Sequence, residues 1–300
     1  MRLRAALLLL LAGSAAAAAP ATAAPAGDFA GLVPIGDGRS LYLECRGSGS
    51  PTVLLEAGLR NRGDIWNVSD ASGGDAGSVF PVISSRTRVC EYDRPGTVRA
   101  ADEVSRSDPV AQPRTTGAIV RDLDRLLRAA NVEPPYVMAG HSTGGLIVRQ
   151  YASRYPNRVA GLVLVDAISE AVEDRMKPRQ FAFYNRRYLI AASPALAGYD
   201  ALETVDFYRS FAQVRRRPRP PRDVPMVVIS KTKGFGAPEG VGESFADFVD
   251  RIWEQSQRYL GSLRPGIKRF IAERSGHYVQ VEQPALVVKA IRRVLRLARR

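Results

Sequence analysis

Tyr136-Val137-Met138-Ala139-Gly140-His141-Ser142-Thr143-Gly144-Gly145 runs from an apolar strand, through a Gly-x-Ser-x-Gly turn, into the start of a helix. A turn this tight leaves no room for side chains two residues either side of the serine, which explains the glycines there. It holds the serine hydroxyl out at the carboxyl edge of a sheet, at the positive end of the following helix. The five-residue pattern alone is weak: this glycine and serine content gives about 0.16 matches per chain by chance. The flanks decide, since the strand precedes the turn and the helix follows it.

Strands and helices alternate outward from this point. Leu32–Ile35 and Leu41–Cys45 around Gly36-Asp37-Gly38 predict a hairpin. Pro51–Glu56, Thr87–Tyr92, Ala160–Val165, Val224–Ser230 and Ile267–Ala272 are short apolar runs that predict strands. Thr116–Ala130 carries Ile119, Leu123, Leu126 and Leu127 on one helical face, and Gly144–Tyr155, Ser244–Leu260 and Ala285–Ala298 also predict helices. Such alternation implies an α/β chain with a mostly parallel sheet covered on both faces. Residues 168–223 break the rhythm and predict a helical cap inserted after the sixth strand. Its Phe181, Phe183, Tyr184, Tyr188, Phe207, Tyr208 and Phe211 are expected to form mainly a small core of their own.

The chain resembles the α/β-hydrolase superfamily over nearly all of its length after the leader. Leu54-Leu55-Glu56-Ala57-Gly58 resembles the family's strand-end segment that supplies an oxyanion N–H, with Ala57 where many members have histidine. Tyr92-Asp93-Arg94-Pro95-Gly96 is similar to the turn after its fourth strand. Ser275-Gly276-His277-Tyr278 resembles its base-bearing loop. The resemblance implies a Ser142 nucleophile, an acyl-serine intermediate, a small-molecule acyl substrate, and no metal or organic cofactor. The backbone N–H groups of Leu59 and Thr143 are the implied oxyanion donors. It also makes the strands bearing Cys45 and Cys90 neighbours, so these two cysteines of an exported chain are expected to form a disulfide.

A serine hydroxyl needs a base. The chain has two histidines; His141, beside Ser142, is expected to point away and pack, which leaves His277. The third member, a carboxylate to hold the imidazole's tautomer, is missing from its commonest place in the family. The seventh strand ends Ile229-Ser230-Lys231-Thr232-Lys233-Gly234. The end of the sixth strand offers Asp166, with Glu170 as the alternative acid and Glu239 or Glu243 behind.

Residues 1–26 predict a signal peptide: Arg2 and Arg4, an apolar run from Ala5 to Ala12, then a small-residue stretch with cleavage after Ala26. The apolar run is too short for a membrane anchor, for which about 20 residues are needed. A secreted or periplasmic location follows, and 27–300 is expected to form one hydrolase domain. The net charge of +13 is carried mostly by scattered arginines. Without a nucleic-acid-binding motif or an aromatic-basic repeat, that charge is a solvated surface, as is the Arg215–Arg222 linker. Acyl transfer or perhydrolysis on the same residues, and a non-catalytic ligand-binding role, are the rival readings. Epoxide- or haloalkane-type chemistry is disfavoured, because those relatives have aspartate where Ser142 stands.

Overall fold

The computed structural model describes residues 27–70, 77–100, 102–191, 194–196, 198–216 and 224–300. The expected signal peptide and most of the proline-arginine run lie outside these residues.

One eight-stranded sheet organises the described chain. Its strands are β1 (Phe29–Gly36), β2 (Arg39–Arg46), β3 (Thr52–Glu56), β4 (Val89–Tyr92), β5 (Tyr136–His141), β6 (Val159–Val165), β7 (Met226–Lys231) and β8 (Lys268–Ala272). They lie in the order β1-β2-β4-β3-β5-β6-β7-β8. From β4 through β8 neighbouring strands pair in parallel, while β2 runs antiparallel to both β1 and β4. The fold is therefore a mostly parallel sheet flanked by helices, as the alternation of elements implied.

Successive side chains of a strand point to opposite faces, so the central strands feed two cores. Met138, Leu162 and Leu164 enter the larger one, with α2 (Thr116–Ala129), α3 (Thr143–Arg154) and α7 (Glu243–Ser262). Val137, Val163 and Val165 enter the other, under α1 (Val79–Ser84) and α9 (Pro284–Ala298). The α2 face carrying Ile119, Leu123, Leu126 and Leu127 is buried, and the Thr115 hydroxyl caps the helix by accepting from Ala118 N–H at 3.3 Å. Pro284 starts α9, where a missing N–H does no harm. Between β6 and β7 the described residues contain no strand of the sheet. They form α4 (Ala171–Asp174), α5 (Pro178–Tyr184), a π-turn at Asn185–Leu189, a short 3-10 turn at Pro194–Leu196, and α6 (Phe207–Arg215).

Cys45 and Cys90 stand directly opposite each other on β2 and β4, with Cα atoms 4.1 Å apart, and form a disulfide. Close pairs of this kind occur at the non-hydrogen-bonded sites of antiparallel strands. The bond closes a sequence separation of 45 residues. By chain entropy that is worth about 4 kcal/mol. Replacing both cysteines by alanine should lower the melting temperature by about 10 °C; unchanged melting would show that the bond restrains nothing in the unfolded chain.

Among the described residues, no helix is long and apolar enough to cross a membrane.

Candidate active site

The turn from β5 into α3 puts Ser142 at φ 52°, ψ −119°, a conformation in which few residues other than glycine are found. Such backbone strain concentrates at functional sites. A Cβ on Gly140 would stand 2.4 Å from the Gly144 carbonyl oxygen, and one on Gly144 would stand 2.4 Å from the Glu56 carbonyl oxygen. The turn is clamped to the end of β6: Ser142 N–H donates to the Val165 carbonyl at 3.0 Å, and Ile168 N–H to the Ser142 carbonyl at 3.1 Å.

His277 lies in the loop between β8 and α8 (Val279–Glu282). Its Nδ1 is 2.7 Å from Asp166 Oδ2. Asp166 is completely buried, and a buried carboxylate needs partners. The other oxygen, Oδ1, accepts from Lys231 N–H at 3.1 Å and from the Trp253 indole at 3.0 Å. Asp166 thus joins the ends of β6 and β7 to α7 and to the histidine loop.

The alternative acids are placed elsewhere. Glu170 is buried in a two-pronged ion pair with Arg149, at 2.9 and 3.0 Å, and accepts from Tyr259 Oη at 2.7 Å. Burial alone would raise its pKa, but the Arg149 charge and these hydrogen bonds outweigh that and hold it below the usual carboxylate value. The structure therefore does not bring Glu170 to His277; Arg149, on the inward face of α3, has taken its carboxylate. Glu239 and Glu243 are exposed.

His141 is buried, with its Nε2 2.8 Å from the His277 carbonyl. A carbonyl can only accept, so Nε2 carries the proton. Burial, with His277 beside it, pushes the His141 pKa well below its ordinary value and keeps the ring neutral. Its place beside the site was legible in the sequence; its hold on the loop that carries His277 was not.

Gly58, Leu59, His141, Ser142, Thr143 and His277 line one cavity of about 380 Å³. That is within the range for small-ligand sites. Cap residues Tyr184, Tyr188, Leu189 and Leu196 close it on one side, with Phe235, Trp253 and Tyr278 on another, and Arg60 and Arg99 contribute positive charge. The cap aromatics accordingly divide: Phe181, Phe207 and Phe211 pack on one another, with ring centroids 5.7 to 6.0 Å apart, while Tyr184 and Tyr188 face the cavity.

Beneath the loop after β3 lies an ion cluster that the sequence did not reveal. Arg94, 2% exposed, donates to Glu56 at 2.6 Å and to both oxygens of Glu203 at 2.6 and 2.9 Å. Tyr92 Oη donates to the other Glu56 oxygen at 2.8 Å. Burial works against the Arg94 charge, but Glu203 and Glu56 outweigh it and raise its pKa. Burial pushes Glu56 up to about 7 against the pull of Arg94. A neutral Glu56 leaves one cation facing one anion, Glu203, which is the cheaper state in a dry interior. As pH rises from about 4.5 to 7, the unfolded chain gives up this proton before the folded one does, so stability should fall. Glu56→Gln mimics the neutral form and should lack that slope, which is at most about 1.4 kcal/mol per pH unit for one proton. Parallel stability–pH curves for the two proteins would show Glu56 already ionised.

A family model described as alpha/beta hydrolase fold matches residues 72–289. The chain is 25% identical over 257 residues to the uncharacterized protein YqjL of Bacillus subtilis, covering 85% of this chain and 88% of that protein. It is 32% identical over 145 residues to the uncharacterized protein C23C11.06c of Schizosaccharomyces pombe, covering 42% of this chain but only 26% of that longer protein. The solved structure of Est816, described as an N-acyl homoserine lactone degrading enzyme, superposes with a TM-score of 0.58 at 19% identity, over 87% of this chain and 99% of that one. With the family model covering well over half of its length, and the sheet order and strained serine turn of the fold in place, the chain belongs to the alpha/beta hydrolase family.

Proposed function

We propose that the protein hydrolyses carboxylic esters, or closely related acyl bonds, through an acyl-serine intermediate, with Ser142 as nucleophile, His277 as general base and Asp166 as the acid. The observation that carries this reading is the 2.7 Å contact between His277 Nδ1 and the buried Asp166, in a loop on the same cavity as the strained Ser142. With the Nδ1 proton committed to Asp166, the His277 Nε2 lone pair is free to take the Ser142 proton. Ser142 Oγ attacks the acyl carbon, and the resulting oxyanion is received by the N–H groups of Leu59 and Thr143. His277 returns the proton to the leaving alcohol, which departs with the electrons of the broken C–O bond. Water, deprotonated by the same histidine, then releases the acid and frees Ser142. The aromatic wall of Tyr184, Tyr188, Phe235 and Trp253 favours a short or aromatic acyl group over a long chain in a cavity of about 380 Å³.

A fluorophosphonate probe, followed by peptide mass analysis, tests the reading. One adduct on Ser142, competed away by p-nitrophenyl acetate, is the expected result; a folded wild-type protein that takes up no probe would end the proposal and favour a ligand-binding role. We also propose that the chain acts outside the cytoplasm after losing residues 1–26, which N-terminal sequencing of the exported form should show as a start at Gly27.

A further inference from the structure

We infer that Arg94 and the cap residue Glu203 are positioning residues for the oxyanion site, fixing the Gly58–Leu59 peptide so that docking of the cap and assembly of the site are one event. The inference rests on the acyl-serine reading above. Its basis is the path of the hydrogen bonds. Arg94 Nη2 donates to the Gly58 carbonyl at 2.6 Å, and Nη1 to the Ala57 carbonyl at 3.0 Å. The Gly58 carbonyl and the Leu59 N–H belong to one planar trans peptide and point in opposite directions. Pulling that carbonyl down toward Arg94 therefore turns the Leu59 N–H up, away from the cluster. Leu59 and Gly58 both line the cavity that holds Ser142, and the Leu59 N–H meets no acceptor among the described residues. A charged donor on the carbonyl also polarises the amide and strengthens its N–H.

The next residue is held from the cap. Arg60 has φ 63°, a left-handed conformation unusual for arginine. Glu203 Oε2 accepts its N–H at 2.6 Å, and the Glu203, Ile190 and Ala191 carbonyls accept from its guanidinium. Glu203 is itself anchored, its N–H donating to the Gly96 carbonyl at 2.8 Å. A Cβ on Gly96 would stand 2.1 Å from the Ala201 carbonyl oxygen, so the Arg94 turn and the cap segment are pressed together. The Gly58 carbonyl also accepts from Asn61 N–H at 3.1 Å, which closes the turn. Glu203 touches the other two supports of the peptide: the arginine that holds its carbonyl and the strained residue that follows its amide.

The test is Glu203→Gln, which keeps shape and removes one charge. A donor displaced by a fraction of an ångström should lower kcat on p-nitrophenyl acetate about 10- to 100-fold with KM within about threefold. Affinity for a phenylboronic acid, which forms a tetrahedral adduct at the serine, should weaken in parallel, while inhibition by toluene, which has no oxygen to place at the oxyanion site, should not change. A folded Glu203→Gln protein with wild-type kcat overturns the inference, as does an equal loss of boronate and toluene binding, which marks general damage to the pocket. If that variant does not fold, Arg94→Lys keeps the charge but cannot span two backbone carbonyls and the side chains of Glu56 and Glu203, and the same loss is expected. Should neither fold, amide relaxation of the wild-type protein decides: Leu59 and Arg60 should be rigid, with order parameters about 0.85, and values below about 0.6 overturn the inference. Wild-type protein that neither turns over ester nor labels at Ser142 would instead sink the acyl-serine reading, leaving the relaxation result to stand by itself.

Discussion

Ser142→Ala is expected to lower kcat for ester hydrolysis by about 10⁶-fold with the fold intact, and His277→Ala by a similar factor. The two residues act as a unit: without the base the hydroxyl is not activated, and without the hydroxyl the base has nothing to deprotonate. The double variant should therefore be no slower than either single one. Neither substitution should alter folding greatly, since Ser142 and His277 are only partly buried and line an open cavity. Turnover of purified variants, with thermal melting as the control for folding, checks this. Residual activity above about 1% in either would remove that residue from the mechanism, because a lost triad member leaves only the far smaller contribution of the oxyanion site and binding.

Asp166→Asn should cost about 10⁴-fold in kcat with little change in KM. The surroundings of Asp166 dictate how. Its Oδ1 position receives two N–H donors, from Lys231 and Trp253, so the asparagine must put its carbonyl oxygen there. Its amide NH₂ then faces His277 Nδ1, which can only accept from it. The imidazole proton moves to Nε2, the nitrogen meant to take the Ser142 proton, and the base is lost although no atom has moved far. Lost activity should return partly at high pH, where the wrong tautomer matters less than hydroxide in the cavity. A near-normal rate at neutral pH would show that Asp166 does not act as the acid. Glu170 is a poor replacement, because moving its carboxylate to His277 would strand the buried Arg149 charge.

What could be read from the sequence was local. The β5–α3 turn carries its own evidence, because strand, glycines, serine and helix are contiguous. The long helices α2, α3, α7 and α9 announce themselves by period, with ends within two residues of expectation. The lack of a carboxylate at Ile229–Gly234 turns attention to the end of β6, where Asp166 does meet His277 Nδ1 at 2.7 Å. Side-chain pairings across long separations that no family motif marks left no such trace. Arg94 and Glu203 are 109 residues apart, and Trp253 reaches Asp166 across 87. Glu170 looked available because its partner Arg149 sits on a helix whose buried face reads as apolar apart from that one residue. The six-residue α1, with Pro81 inside it, is too short to display a helical period and was not expected.

The seventh strand's end, free of a carboxylate, leaves one wall of the pocket open to adaptation. The turn beyond it contributes Phe235, which lines the cavity with its ring 4.9 Å from Trp253 and 5.1 Å from His277. Where the acid sits on that turn, every insertion or substitution that reshapes the pocket also disturbs the proton relay. On the proposed triad the acid stands at the end of β6 instead, yet the turn still braces the base: the Thr232 and Lys233 N–H groups donate to the Ser275 carbonyl at 3.3 and 3.1 Å, two residues before His277. Phe235, whose own N–H is held by Asp250, is the one residue of 232–236 that lines the cavity, and a library at that position is the natural place to retune selectivity with the relay kept in place.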